Sequence, residues 1–104
     1  MTGIELIAQE RAEQLLKHNR SIENDVAFNN HYQLSQAAGL LVWVGEEDYG
    51  HDTDACCPTE WDPALWKKMM EKDYADRLVI AGALIAAEID RLQHSKTNND
   101  VTTI

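Results

Sequence analysis

The sequence predicts an all-α domain, a compact bundle of about four helices with a long acidic loop between the second and third. Apolar residues recur at helical spacing, Thr, Asn or Asp start signals precede the helical runs, and 104 residues provide one core but not two.

Thr2 and Glu5 form a capping box, and Ile4, Ala8, Ala12, Leu15 and Leu16 carry the first helix to about Lys17. The stretch from His18 to Asn29 is polar and interrupted, so it reads as a connecting loop anchored by Phe28. Asn30 with Gln33 resembles a second helix start, with Leu34, Ala37, Ala38 and Leu41 on its buried face and Gly45 as its stop. Residues 46–61 show no sustained period and read as the acidic surface loop. Asp62 followed by Pro63 opens a short third helix covered by Leu65, Trp66, Met69 and Met70.

Asp73 with Asp76 restarts the pattern, and Arg77 to Leu92 is apolar on two sides. Leu78, Ala81, Ile85 and Ile89 form one side and Ile80, Leu84 and Ala87 the other, which makes this the central helix. Three short partners cannot cover so much apolar circumference, so part of it is expected in a homo-oligomer interface, with Gly82 and Ala86 admitting a close neighbour. The polar segment from His94 to Ile104 reads as a flexible tail, leaving residues 1–93 as one helical domain.

Composition excludes some function classes. A formal charge of −9 disfavours duplex nucleic acid, because phosphate affinity comes mainly from Lys and Arg. No apolar run approaches the roughly 20 residues that cross a bilayer, and Met1 to Ala8 lack the features of a secretory signal, so a cytoplasmic protein is expected. Cys56 and Cys57 are adjacent and form neither a disulfide framework nor a metal knuckle. The charge is uneven: seven acids from Glu46 to Asp62 are followed by Lys67, Lys68, Lys72 and Arg77, a local basic patch open to a small anion.

Arg11 and Glu88 both fall beside apolar stripes, and Arg77 shares a face with Glu88 about 16 Å away along the helix. Buried charges need partners, so a polar network joining Glu10 or Arg11 to Arg77 and Glu88 is expected, serving either helix register or bidentate binding of phosphate or carboxylate. Asp48, His51, Asp52 and Asp54 do not match a calcium loop, and no metal site is expected there. Trp43, Trp61 and Trp66 serve the core or an interface, or stack a base beside Lys67 and Lys68.

Glu10-Arg11-x-x-Gln14, Trp61-Asp62 leading to Trp66-Lys67, and above all Arg77-Leu-Val-Ile-Ala-Gly-Ala-Leu-Ile-Ala-Ala-Glu-Ile-Asp-Arg91-Leu92 carry a resemblance. Together, over residues 5–92, they resemble a family of small helical proteins encoded by phages and prophages. The resemblance implies a helical fold and a phage setting. Three functions follow as expectations. The favoured one is a non-catalytic protein without cofactor that holds a small anionic ligand, plausibly a nucleotide, through Glu10, Arg11, Gln14, Trp61, Trp66, Lys67, Arg77 and Glu88. It would sequester a host immune nucleotide signal. An all-α nucleoside triphosphate pyrophosphohydrolase would need magnesium held by four carboxylates on facing helices. This chain has only Glu10-x-x-Glu13, and its second helix carries no carboxylate. The third is an acidic protein that binds a host protein through the loop from Glu46 to Asp62.

Overall fold

A computed structural model of the chain describes residues 1–17, 21–43 and 56–99, with side chains at all of these but 17, 43 and 95–99. The described residues form five α-helices and no strand: α1 (Gly3–Lys17), α2 (Ile22–Phe28), α3 (Gln33–Trp43), α4 (Pro63–Met70) and α5 (Tyr74–Asn99).

The start of α1 is the expected capping box, with the Thr2 N–H donating to Glu5 Oε1 at 2.8 Å and the Glu5 N–H donating to Thr2 Oγ1 at 3.2 Å. Asp62 and Asp73 behave in the same way. Asp62 Oδ1 accepts from the Ala64 N–H at 2.9 Å with Pro63 in the first turn, and Asp73 Oδ1 accepts from the Asp76 N–H at 2.9 Å.

The expected loop before Asn30 is instead largely helix α2, so the described residues form five helices rather than about four. Ser21 caps it, its hydroxyl accepting from the Asn24 N–H at 3.0 Å. Phe28, expected to anchor this stretch, is 63% exposed, and the buried residue is Asp25. A helix whose inward group is a carboxylate and whose aromatic points outward has an inverted apolar pattern, and periodicity cannot find it. Gln33 joins α2 to α3: its amide N–H donates to the Phe28 carbonyl at 3.2 Å, and its Oε1 accepts from the His31 N–H at 2.7 Å. Tyr32, just before α3, holds a left-handed φ of 67°.

α5 is the central helix and packs against α1, α2 and α3. Leu34, Ala37, Ala38 and Leu41 of α3 meet Ile80, Ala81, Leu84 and Ala87 of α5, and α4 adds Trp66 and Met69. α5 continues past Leu92 to Asn99, overrunning the start of the expected tail, so hydrophobic period alone does not mark its end. The close approach expected at Gly82 is made by the chain's own α1. A Cβ placed there would lie 2.6 Å from Ile7 Cδ1. Most of the expected acidic loop, residues 46–55, lies outside the described residues, as does Gly45, the expected stop of the helix before it. No helix among the described residues is long and apolar enough to cross a membrane.

Candidate functional site

Spacing on α1 sets the first wall of a cleft. Glu10, Glu13 and Gln14 are three and four positions apart, so they share one side of the helix. Facing them are Leu65, Lys68 and Met69 of α4 and, just past its end, Glu71 and Lys72, while Ile80 and Leu84 of α5 contribute apolar surface. The cleft is half open to solvent and holds about 620 Å³, within the range of small-molecule sites.

Gln14 is the unusual member. It is 4% exposed; its amide N–H donates to Glu10 Oε2 at 3.2 Å, and its carbonyl oxygen, sealed from solvent, accepts no hydrogen bond among the described residues. A buried acceptor without a donor costs about 1–3 kcal/mol. The cleft therefore combines carboxylates of Glu10, Glu13 and Glu71 with ammonium groups on Lys68 and Lys72 and an apolar lining, and the Gln14 oxygen lies buried beside it. It can take a molecule that carries both N–H donors and an anionic group.

The sequence-predicted residues separate into distinct places. Glu10 and Gln14 line the cleft. Arg11, buried on the next face of α1, donates from Nη2 to Asp90 Oδ2 on α5 at 3.1 Å, while its Nε and Nη1 are buried without a hydrogen-bond partner among the described residues. Glu88 pairs with Arg91, whose Nε and Nη2 reach its two oxygens at 2.6 and 3.0 Å. That hydrogen-bonded pair raises the Arg91 guanidinium above its ordinary value, against the opposing effect of burial, with the Asp25 carboxylate adding in the same direction. Arg77 is buried, and its guanidinium lies 5.5 Å from the centre of the Tyr74 ring.

Trp61 and Trp66 serve the core, and the Trp43 side chain lies outside the described residues. Trp66 is fully enclosed and Trp61 meets it edge to face at 6.2 Å, while Trp61 Nε1 donates to Asn29 Oδ1 at 2.8 Å and so ties the approach to α4 to the end of α2. The faces of Trp66 are not open to a base. Lys67 is exposed on α4 and is not among the cleft residues.

Sequence reasoning missed Asp90 and Arg91 as network members; it placed Lys68 and Lys72 only in the general basic patch and Glu13 only among the carboxylates of the hydrolase reading, not in the ligand set. The signal for the lysines was present: Lys68 and Lys72 are four apart, one turn of helix, close after an acidic run. No signal named Asp90 over Glu88 as the partner of Arg11. Among the described residues no group of three His, Cys, Asp or Glu side chains comes together as metal ligands would; Asp48, His51, Asp52 and Asp54 lie outside them.

Compared with family models, curated proteins and solved structures, the chain finds no match. The functional reading therefore rests on geometry and chemistry.

Proposed function

We propose that this chain is a non-catalytic binding protein whose cleft between α1, α4 and α5 holds a small anionic ligand, a nucleotide being the class that suits it. The observation that carries the reading is the Gln14 carbonyl, buried beside the cleft with no donor among the described residues. An exocyclic amine of a nucleobase supplies such a donor after a small side-chain shift, and Glu10 and Glu13 accept from its neighbours. Phosphate oxygens meet Lys68 and Lys72, where a compact ammonium serves as a point charge.

The arginines first expected to bind the anion are less suited to it. Arg11 is committed to Asp90, and Arg77 is buried against Tyr74. In the phage setting that the sequence resembles, such binding would act by sequestration, removing a nucleotide signal from its receptor in proportion to the protein present.

Calorimetric titration with nucleoside mono-, di- and triphosphates and cyclic dinucleotides, with and without magnesium, tests the proposal. Saturable binding that weakens at least tenfold in Lys68→Ala/Lys72→Ala, both exposed positions, supports it. Absence of binding across the panel at millimolar concentration overturns it. Chromatography of the same mixtures separates binding from turnover: magnesium-dependent release of pyrophosphate would replace the non-catalytic reading with a hydrolase.

A further inference from the structure

Two contacts fix how α1 lies on α5. Ile7 sits over Gly82, and Arg11 reaches onward to Asp90, so the two helices run in the same direction. Advancing 100° per residue from these anchors, Ile4, Ala8 and Leu15 of α1 emerge on the same side of the pair as Leu78, Ile85, Ile89 and Leu92 of α5. None of these residues lines the cleft, and Leu78 alone among them also borders a second groove, with Leu6, Glu10 and Glu13 of α1. The large apolar residues on this side are 39 to 82% exposed. On α5 Leu78, Ile85 and Leu92 are seven apart with Ile89 between the last two, a stripe at the spacing of helix pairing that runs beside the seam in which Ile7 covers Gly82.

We infer that this two-helix face is the interface of a homodimer, with Ile85 near the two-fold axis. The first reason is area. The six exposed Ile and Leu side chains present an apolar patch on the order of 600 Å², at the upper limit for a monomer and close to the roughly 800 Å² that each partner gives to a standard interface. Charge is the second. A chain of −9 repels anionic lipid and nucleic acid, and no Lys or Arg lies among the face's residues to attract either. An apolar face needs no charge complement from a second copy, and symmetry supplies the matching surface. Ile85 is midway between Leu78 and Leu92, so antiparallel α5 helices would set Leu78 of one copy opposite Leu92 of the other.

Sedimentation of the full chain across a concentration series reads the outcome. The expected result is a two-chain mass at micromolar concentration, strengthened by added salt as the like charges are screened. Ile85→Glu and Ile85→Lys should each sediment as one chain with unchanged helical circular dichroism. Mixing the two variants should restore the two-chain mass, which requires position 85 to face its own copy. A one-chain mass for the unaltered protein up to about 100 µM overturns the inference. So does a two-chain mass that survives both substitutions. Should either variant lose its helical signal, Ile89→Glu, at another half-exposed position, provides the same reading.

Discussion

Arg91 grips the Glu88 carboxylate with two hydrogen bonds, from Nε at 2.6 Å and Nη2 at 3.0 Å, one turn apart on α5 with side-chain exposures of 10 and 11%. Both charges face the side of α5 that packs into the protein, and the fully buried Asp25 of α2 contributes to the field at Arg91. Removing one member leaves the other buried and uncompensated, which costs about 3–5 kcal/mol. Glu88→Ala should therefore lose about that much in urea denaturation. The double variant Glu88→Leu/Arg91→Met should recover most of the loss, because an apolar pair of similar volume carries no desolvation penalty. Equal losses in the single and double variants would show that packing, not charge pairing, is what this pair contributes.

Gly82 is where α1 and α5 come closest. A Cβ there would meet Ile7 Cδ1 at 2.6 Å and Cγ1 at 2.8 Å, and a β-branched side chain has little rotamer freedom with which to retreat. Gly82→Ala should destabilise by about 1–2 kcal/mol, since overpacking outweighs the roughly 1 kcal/mol of helix propensity that alanine adds. In an Ile7→Ala background the same substitution should stabilise. Thermal denaturation of the four chains gives the coupling directly, and a Gly82→Ala effect of the same sign in both backgrounds would sink the account.

The legible parts of this fold are those written in local chemistry. Thr2 with Glu5, Asp62 with Pro63, and Asp73 with Asp76 mark helix starts because a cap needs only residues within one turn. The buried face of α3 was legible for the same reason, its four apolar residues repeating at helical spacing. Helix α2 was not, since its buried residue is a carboxylate, Asp25, which accepts from Asn29 Nδ2 and acts on the distant Arg91, while Phe28 lies outside. The candidate site divides similarly. Arg11 and Glu88 stand out as charges beside apolar stripes; Arg91, three residues after Glu88 on the same helix, lies within reach of local spacing, whereas Asp90 as the partner of Arg11 depends on how α1 rotates against α5, which no local pattern encodes. Gln14 is recognised in sequence only through the Glu10-Arg11-x-x-Gln14 resemblance, which named it a ligand residue. Its missing donor is a property of the assembled cleft.

The Arg11 and Asp90 pair is asymmetric. Asp90 keeps 40% of its side chain in solvent, so it stays hydrated without its partner, whereas Arg11 is almost enclosed. Asp90→Asn should leave a buried guanidinium with a weaker acceptor, costing about 1–2 kcal/mol. Arg11→Met should cost less, because the methionine fills the same channel between the helices and Asp90 turns to water. Equilibrium unfolding of both variants ranks them; a larger loss for Arg11→Met would mean that the arginine contributes more than its own accommodation, most simply through a bound anion at its Nε and Nη1.

Acid should loosen the start of α1 before the rest. Glu5 is held below its ordinary value of 4.5, first by the Thr2 backbone N–H and then by the Thr2 hydroxyl. A carboxyl whose folded value is depressed contributes its full stabilisation above the unfolded value and loses it as the pH falls through the lower, folded one. The capping contribution should thus be intact at neutral pH and fade only on descending below about 4.5. Carboxyl chemical shifts followed through an acid titration should give Glu5 a midpoint below the ordinary value of 4.5. Thr2→Ala removes the hydroxyl but keeps the backbone donor, so it should move the Glu5 midpoint only partway back. A full return to the ordinary value would assign the depression to the hydroxyl alone, and an unchanged midpoint would assign it to the backbone N–H alone.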